Sequence, residues 1–397
     1  MSRRVLVLGT IGFACLIGVY TYIAFQQPIP AIASTPTITH SDTTNSIINW
    51  PGSTEAAVGA VGYGVLAANG ASTALPTASV AKMMVALSVL KVKPLQLGEQ
   101  GPTLTLTQAD VNSYNAYVAE DGSVVKVAAG EKISEYQALE AMLLPSANNM
   151  ADTLATWAFG SISAYSTYAN NLAESLGMSD TTFGSVDASG YSPTTISTPH
   201  DLVVLGEATL KNPVIAQIVG RPTAVVPVGG TVTNVNWLLG SYGIDGIKTG
   251  NTDQAGGVYL FSAKQTFETG QSVTIVGAIM GAPTLQAALD DAVPLLISIK
   301  AHFQLDALVQ AGQIVGQYSV PWAGKVNVVA ARTFTAITWQ GQKITPRITL
   351  DALHAPLVKG AQVGSISFST ATKTTIPITL EQSVPTPTWK WRLLHAF

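Results

Sequence analysis

Apolar residues recur every three or four positions in several stretches of the chain, and this spacing predicts amphipathic helices. The stretches are 133–143, 150–157, 162–176 and 285–303. Gly177 follows the third stretch directly and is a favoured residue for ending a helix. Thr198 and Pro199 predict the start of a further helix, since threonine is a good N-cap and proline suits the first helical position.

Runs of small apolar and β-branched residues predict strands. They lie at 56–66, 258–263 and 273–280. Asn69-Gly70 predicts a hairpin turn after the first run, because both residues tolerate positive φ. After about residue 303 only short β-branched runs remain, separated by Gly, Pro or polar turns, and this pattern indicates a separate all-β domain.

The amino terminus begins with two basic residues and continues as a long apolar run. Arg3 and Arg4 precede the uncharged stretch 5–25, which is typical of an export signal and also long enough to span a bilayer at about 20 helical residues. An A-x-A pattern at 31–33 allows cleavage, so both a cleaved signal and a retained anchor fit. Cys15, the single cysteine, lies in this run, so the exported part has no disulfide or thiolate metal site.

Composition limits the remaining possibilities. The chain has 397 residues, 47% hydrophobic and only 11% charged, which supplies enough apolar surface for a large core and fits two domains. A formal net charge of −3 gives no basic field, so nucleic acid is not an expected partner. The predicted divisions are a signal or membrane anchor at 1–33, a Ser/Thr/Pro-rich linker at 34–49, a main domain at 50–303, a β-rich domain at 304–385, and a tail at 386–397 that is either a membrane-surface segment or an ordinary packed terminus.

The first chemical motif is Ser79-Val80-Ala81-Lys82, at the start of an apolar helical run. A serine at a helix start lies over the positive end of the helix dipole, which favours negative charge on its oxygen. Lys82 lies on the same helical face, and a lysine in a desolvated cleft has a lowered pKa and can act as a base. Ser79 is therefore the candidate nucleophile and Lys82 the candidate base. Taken alone, the motif also fits an N-cap serine followed by a surface lysine.

The second motif, Ser146-Ala147-Asn148, precedes a predicted helix. Ser146 is expected to pass a proton between Lys82 and the substrate nitrogen, and Asn148 to bind a substrate amide. Taken alone, the same two residues also fit a pair of helix caps, because serine and asparagine are favoured there.

The third motif, Lys248-Thr249-Gly250, is expected on an edge strand beside the serine. Lys248 and Thr249 would receive a substrate carboxylate by charge and by hydroxyl donation, and Gly250 would let the substrate backbone come close. The backbone N–H groups of Ser79 and Asn251 would form an oxyanion hole, typically worth ~3 kcal/mol per donor. An ordinary surface turn is the alternative for this motif alone.

Histidine is too scarce for the most common alternative, a Ser-His-Asp triad. His200 is the only histidine between residues 50 and 300, it lies near a predicted helix start, and no serine has G-x-S-x-G surroundings. We interpret it as a surface or cap-region residue. Histidine and cysteine do not cluster, so no metal site is predicted. The three motifs together predict serine acyl transfer with a lysine base and without a cofactor.

With these motifs the chain resembles the low-molecular-weight penicillin-binding proteins, which are serine-type D-alanyl-D-alanine carboxypeptidases. The resemblance covers residues 52–300 and continues into the family's carboxy-terminal β domain. The further segments that carry it are 143–149, 176–178, 181–183, 197–202, 234–239, 245–256 and 355–360. The chain departs from the family's usual sequence at 149–150 and 184–190, and its predicted anchor is amino-terminal where many relatives use a carboxy-terminal amphipathic helix.

The resemblance implies an α+β fold, in which a penicillin-recognising domain with an antiparallel sheet flanked by helices precedes a small all-β domain. It implies removal of the terminal D-Ala from peptidoglycan stem peptides through an acyl-Ser79 intermediate, outside the cytoplasm. β-Lactams would inhibit the enzyme by acylating the same serine.

Three alternative functions remain open from the residues. A peptidoglycan endopeptidase or transpeptidase would use the same residues. A class A β-lactamase needs a carboxylate to activate the deacylating water, but Glu174 and Glu207, the only glutamates between the second and third motifs, lie in predicted helices and lack an Asn three residues on. A non-catalytic cell-wall-binding relative usually loses the nucleophile or its lysine, and both are present here.

Overall fold

The computed structural model describes residues 3–26, 33–36, 40–41, 47–70 and 73–395. The helices are α1 (Arg3–Gln26), α2 (Lys82–Val92), α3 (Gln108–Ala119), α4 (Glu135–Leu143), α5 (Asn148–Phe159), α6 (Ile162–Leu176), α7 (Pro199–Leu210), α8 (Pro213–Val219), α9 (Leu285–Lys300) and α10 (Trp389–Leu394). The strands are β1 (Ala33–Pro36), β2 (His40–Ser41), β3 (Glu55–Ala60), β4 (Gly64–Asn69), β5 (Leu75–Pro76), β6 (Thr103–Thr105), β7 (Lys132–Ser134), β8 (Ile196–Ser197), β9 (Thr223–Val226), β10 (Gly230–Thr233), β11 (Ile244–Thr252), β12 (Gly256–Thr266), β13 (Ser272–Ala282), β14 (Phe303–Val309), β15 (Ile314–Val320), β16 (Gly324–Ala330), β17 (Phe334–Trp339), β18 (Lys343–Ile344), β19 (Arg347–Leu350), β20 (Gln362–Ser369) and β21 (Lys373–Leu380).

An antiparallel five-stranded sheet of order β11-β12-β13-β3-β4 lies at the centre of one compact unit, residues 45–304. Helix α9 packs against β12 and β13, and α7 packs against β13, β3 and β4. Gly206 lets α7 approach closely, because a Cβ there would come 2.8 Å from Cγ1 of Val276 on β13. This arrangement is the antiparallel sheet flanked by helices that the sequence predicts, and it leaves β11 at one edge.

Helices α2, α4, α5 and α6 form a lobe of the same unit around a shared apolar core. Helix α2 runs through the interior of this lobe, since every residue from Lys82 to Leu90 is buried. An apolar run with a lysine at its first position therefore carries that lysine into the protein rather than to the surface.

A second compact unit comprises residues 305–397 together with the described residues before 45. Its six-stranded sheet has the order β1-β15-β16-β21-β20-β19, and its core includes Tyr318, Phe368 and Ile376. Strand β1 pairs with β15 and β2 with β18, so the segment predicted as a linker at 34–49 contains strand residues. The prediction of β structure after about residue 303 agrees with these strands.

Helix α1 includes Gly9–Gln26, an 18-residue stretch that is long and apolar enough to cross a membrane. Its neighbour within this unit is the short tail helix α10. Arg392 donates a hydrogen bond to the Phe25 carbonyl at 3.1 Å, and the Tyr20 hydroxyl donates one to the Leu393 carbonyl at 2.5 Å. The side chain of Cys15 on α1 is exposed.

Some local predictions are confirmed and others are wrong. Helix α6 ends at Leu176 with Gly177 at φ 83°, and the Thr198 side chain caps α7 by accepting a hydrogen bond from the Asp201 N–H, as expected. The run 56–66, however, forms two strands rather than one, because Gly62 and Gly64 take positive φ and turn the chain there.

Two further element boundaries differ from the predicted ones. The hairpin turn lies before Asn69-Gly70 rather than at it, since Asn69 is the last residue of β4. The helix predicted over 285–303 ends at Lys300, and Phe303 already begins β14.

Candidate active site

The candidate nucleophile Ser79 lies on a 3-10 turn, Ala78–Ala81, that leads directly into α2. Ala78 has φ 44°, a left-handed conformation that is unfavourable for a residue with a Cβ. The residue before the turn is held in place by a backbone hydrogen bond, which the Thr77 N–H donates to the Thr195 carbonyl at 3.1 Å. Strained backbone of this kind recurs at functional sites, where the surrounding structure maintains it.

Lys82 is the first residue of α2 and lies one turn from Ser79, as the spacing of the motif predicts. Its Nζ is 2.8 Å from Ser79 Oγ, and it donates to Asn148 Oδ1 at 2.7 Å and to the Ser189 carbonyl at 3.2 Å. The side chain is completely buried. The alternative of a surface lysine is therefore wrong.

Burial lowers the pKa of Lys82 to about 7, while the negative charges of Asp187 and Asp152 oppose this shift. A neutral lysine amine has two N–H donors and one lone pair. Two donors match the two fixed acceptors, Asn148 Oδ1 and the Ser189 carbonyl, and the lone pair is then left for the Ser79 hydroxyl proton. Near neutral pH, the geometry thus suits proton transfer from serine to lysine.

The second motif meets the first through Asn148, the first residue of α5. Its backbone N–H donates to the Ser123 carbonyl at 2.7 Å, and its side-chain oxygen accepts from Lys82. The residue therefore holds the candidate base, and its contact with a substrate amide stays a prediction. Ser146 is buried with φ 67°, a second left-handed residue beside the site, and its role in proton transfer also stays a prediction.

The third motif lies on β11, at the edge of the central sheet, where Lys248 and Thr249 are both buried. Lys248 Nζ donates to the Thr249 carbonyl at 2.9 Å. Its pKa is lowered well below the usual value, first by burial and then by the charge of Lys82. Strand β11 also contacts the 3-10 turn that carries Ser79. The third motif is thus brought to the same site as the first.

Gly250 lies where β11 contacts the 3-10 turn Ala78–Ala81, which carries Ser79 and is called the serine turn below. A Cβ on this residue would lie 3.0 Å from Ala78 Cβ and 3.1 Å from the Ser79 nitrogen. The sequence predicts that Gly250 admits the substrate backbone. In the structure, its lack of a side chain also lets β11 lie against the turn that carries Ser79. Asn251, the next residue, is exposed, and its part in an oxyanion hole with Ser79 stays a prediction.

Two carboxylates beside Lys82 were missed by sequence reasoning. Asp152 Oδ1 accepts from the Ala188 N–H at 2.9 Å, and its Oδ2 accepts from the Tyr117 hydroxyl at 2.8 Å. Burial raises the pKa of Asp152 to about 6. Asp152 is four residues after Asn148 on one helix, so helical spacing could have placed both on the same face. Asp187 lies in a stretch that the sequence identified only as divergent.

A cavity of about 700 Å³ opens beside these carboxylates. Asn251 of β11 and the Tyr117–Tyr191 pair, whose rings meet edge to face with centroids 5.7 Å apart, contribute to its wall. Acidic residues are frequent in the lining: Glu120, Asp121, Asp152, Asp187 and Asp253. The cavity thus connects the end of the third motif with the surroundings of Lys82.

The histidine that a Ser-His-Asp triad would need, and the glutamates that a class A β-lactamase would need, make other contacts. The His200 side chain is mostly exposed at the start of α7, and its Nδ1 is 3.1 Å from Asp201 Oδ1. Glu174 is exposed on α6, while Glu207 Oε2 accepts a hydrogen bond from the Gly62 N–H at the β3–β4 turn. Neither glutamate is among the groups that surround Lys82.

Comparison with known proteins gives a family match for each of the two parts of the chain. The family model described as D-alanyl-D-alanine carboxypeptidase matches residues 55–284, and that of the penicillin-binding protein 5 carboxy-terminal domain matches residues 303–385. D-alanyl-D-alanine carboxypeptidase DacA of Escherichia coli is 25% identical over 335 residues, which are 81% of this chain and 80% of the relative. A D-alanyl-D-alanine carboxypeptidase of Mycobacterium tuberculosis is 33% identical over 206 residues, 50% of this chain and 66% of that protein.

Solved structures agree with the fold. Penicillin-binding protein 5 of Haemophilus influenzae aligns with a TM-score of 0.60 at 20% identity, covering 86% of this chain and 99% of its own. A Streptomyces DD-transpeptidase aligns with a TM-score of 0.54 at 25% identity, covering 64% of this chain and 98% of its own. The predicted fold, an α+β penicillin-recognising domain followed by an all-β domain, is confirmed.

Proposed function

Since the chain belongs to the D-alanyl-D-alanine carboxypeptidase family, we propose that Ser79 is its nucleophile and that it cleaves the bond between the two terminal D-alanines of peptidoglycan stem peptides. The observation that carries this assignment is the 2.8 Å separation of Lys82 Nζ from Ser79 Oγ inside a buried site. A serine hydroxyl is a weak nucleophile near neutral pH unless a base lies within hydrogen-bonding distance.

In the acylation step, Lys82 takes the hydroxyl proton as Ser79 Oγ bonds to the carbonyl carbon of the penultimate D-Ala. The C–N bond to the terminal D-Ala then breaks, and its nitrogen receives a proton. We assign that delivery to Ser146 of the second motif, which donates its hydroxyl proton to the nitrogen and regains one from protonated Lys82, so that the lysine returns to its neutral form. Water then hydrolyses the acyl-Ser79 ester, and the serine regains its proton.

Binding of the substrate's terminal carboxylate is assigned to Lys248 and Thr249. Burial lowers the pKa of Lys248 and so disfavours its charged form, whereas an incoming carboxylate would stabilise that form. The backbone N–H groups of Ser79 and Asn251 are assigned to the oxyanion, with Gly250 keeping β11 close to the serine turn.

The enzyme is proposed to act at the outer face of the cytoplasmic membrane, with α1 as its anchor. The apolar stretch Gly9–Gln26 and the basic residues Arg3 and Arg4 support this orientation, since basic residues remain on the cytoplasmic side. Peptidoglycan, the proposed substrate, lies on the other side.

The test is the intact mass of the full-length protein in detergent after mixing with a penicillin. We expect a stable adduct of one penicillin per chain, because the drug acylates the same serine and leaves slowly. Ser79→Ala should form none, and Lys82→Ala should acylate at most very slowly while remaining folded. Release of D-Ala from a D-Ala-D-Ala peptide is then measured on the same preparations.

Each of the other outcomes would indicate a different function for this protein. Hydrolysed penicillin without a lasting adduct would indicate a β-lactamase. An adduct with cleavage of cross-linked rather than linear peptides would indicate an endopeptidase, and transfer to an amine acceptor a transpeptidase. No adduct and no hydrolysis would leave a non-catalytic cell-wall-binding protein and contradict the proposal.

A further inference from the structure

A loop at residues 187–192 passes beside Lys82 and is held by one buried carboxylate. Asp187 Oδ1 accepts hydrogen bonds from the Ser189 N–H at 2.8 Å, the Ser189 hydroxyl at 2.7 Å and the Tyr191 N–H at 3.1 Å. Its Oδ2 accepts from the Ser192 N–H at 2.9 Å. Asp187 thus ties four donors of its own loop together, which fixes the conformation of the loop.

The same loop is fastened to the catalytic elements on both sides. Asp152 of α5 accepts from the Ala188 N–H at 2.9 Å. Gly190, at φ 75°, lies so close to the serine turn that a Cβ would come 2.2 Å from the Ala78 carbonyl oxygen and 2.8 Å from Ala81 Cβ. Between these two attachments, the Ser189 carbonyl accepts from Lys82 Nζ.

The groups that face Lys82 come from several elements. Ser79 reaches it from the 3-10 turn, Asn148 from α5 and the Ser189 carbonyl from the loop. The charges of Asp187 and Asp152 raise the pKa of Lys82 against the effect of burial, and the charge of Lys82 in turn lowers the pKa of Lys248 on β11. The Tyr117 and Tyr165 hydroxyls stay neutral, because burial and these carboxylates raise the pKa of each phenol.

We propose that Asp152 and Asp187 are positioning residues that act on Lys82 through the 187–192 loop. They hold the Ser189 carbonyl where it occupies one N–H of the neutral amine, so that the lone pair faces Ser79. Their negative charges also stabilise the ammonium that forms when Lys82 takes the serine proton. This inference rests on the proposed function, in which Lys82 is the base.

Asp152→Asn separates the charge from the geometry. An asparagine oxygen can still accept from the Ala188 N–H, and its amide can donate to the Tyr117 hydroxyl, so the loop stays attached. Loss of the negative charge makes protonated Lys82 less stable. We therefore expect the acid limb of the penicillin acylation rate to move to lower pH, by on the order of one pH unit, with a lower rate on the alkaline plateau.

Asp110→Asn is the matched control. Asp110 on α3 accepts a hydrogen bond at 2.7 Å from the hydroxyl of Thr153, the residue that follows Asp152 in the chain. It is not among the charged groups that act on Lys82. This variant should leave the acid limb where it is in the wild type. If the contact between α3 and α5 matters only for structure, both variants should change the acylation rate alike. If Asp152 sets the pKa of Lys82, only Asp152→Asn should move the acid limb.

Asp187→Asn provides a second measurement. Its amide nitrogen would face an N–H donor, at Ser192 or at Ser189 and Tyr191, so the loop loses part of its support as well as its charge. We expect a larger loss of acylation than in Asp152→Asn, by 10-fold or more. If the wild type is acylated but both variants keep its pH profile and rate, this inference is wrong and the proposed function stands. If the wild type itself forms no Ser79 adduct, the proposed function fails first.

Discussion

Lys82, the proposed base, reduces the stability of the fold. Burial lowers its pKa to about 7, so between this value and its usual range near 10.5 the unfolded chain binds a proton that the folded chain does not. Below pH 7 the folded protein must keep a charge in its interior. Packing of the other α2 residues in the core of the lobe offsets the unfavourable free energy of this buried charge.

A second buried ionisable residue, Glu135, has no role in the proposed chemistry and allows a prediction about stability. Both of its carboxylate oxygens lie in the interior without a hydrogen-bond partner among the described residues, and burial raises its pKa to about 7. The protonated form is thus favoured in the folded state. The stability that this provides is present below the unfolded value of 4.5 and is lost as pH rises through 7.

Glu135→Gln should remove this pH dependence. Between pH 5 and pH 8 the wild type should lose unfolding free energy relative to the variant, by roughly 1–3 kcal/mol, because only the wild type must ionise a buried group. Denaturant unfolding of both proteins at the two pH values measures it. Penicillin acylation should be unchanged, and an equal pH dependence of the two unfolding curves would contradict the argument.

At this scale the sequence predicted that Ser79 and Lys82 lie together, but not which groups hold them. Ser79 and Lys82 are close in the chain, and helical spacing alone brings them together. Asp187 and the Ser189 carbonyl reach Lys82 across more than 100 residues, through the fold of a loop. No local pattern encodes such a contact, and a backbone carbonyl has no identity in the sequence at all.

Among the elements, β11 and the serine turn depend most closely on one another. Their contact exists because Gly250 has no side chain, and the nearest atoms are those of the turn itself. Positions of catalytic groups tolerate little displacement, since about 1 Å can reduce a rate about 100-fold.

Gly250→Ala should therefore slow penicillin acylation by about 10–100-fold while the protein remains folded. The added methyl would lie 3.0–3.1 Å from Ala78 Cβ and the Ser79 nitrogen, and β11 must move away from the turn to relieve this contact. Stopped-flow acylation kinetics measure the effect. Gly52→Ala is the control, because nothing lies within 4 Å of its added Cβ, and an equal effect in both variants would sink the assignment.

Element boundaries were predictable where local chemistry sets them. The ends at Gly177 and Thr198 follow from a left-handed glycine and a side-chain cap, which act within one turn of the chain. The boundary between β3 and β4 was missed because both strands are apolar, and pairing with β13 buries β3 throughout most of its length. A tertiary contact, invisible in the run itself, removes the polar alternation that would have marked the turn.

For the whole molecule, the two units have separate cores. The residues assigned to catalysis all lie in the 45–304 unit, and the 305–397 unit contributes none of them. From a change in the length and spacing of apolar runs the sequence predicted β structure after about residue 303, but not that residues before 45 belong to the same unit. It also predicted the family, through three motifs whose order matches, and the family model confirms that prediction.

Phe368→Ala should destabilise the 305–397 unit by about 3–5 kcal/mol and leave the penicillin acylation rate unchanged. Phe368 is fully buried and packs against Phe334 with ring centroids 5.3 Å apart. The matched variant is Phe261→Ala on β12, which is equally buried beside the strand that carries Lys248. It should lower both the stability of the 45–304 unit and acylation. Calorimetry with acylation kinetics tests the pair, and loss of acylation in Phe368→Ala would contradict independence.

The thiol on α1 has a practical consequence. Cys15 is the chain's single cysteine, so a fluorescent maleimide added to the unfolded protein attaches at one position, within the segment that a signal peptidase would remove. Under the proposed function, a fluorescent penicillin would label the enzyme at Ser79 instead. In a doubly labelled sample, the ratio of the two dyes equals the fraction of enzyme molecules that keep their amino-terminal segment, so anchored and released protein can be counted in one gel lane without changing a residue.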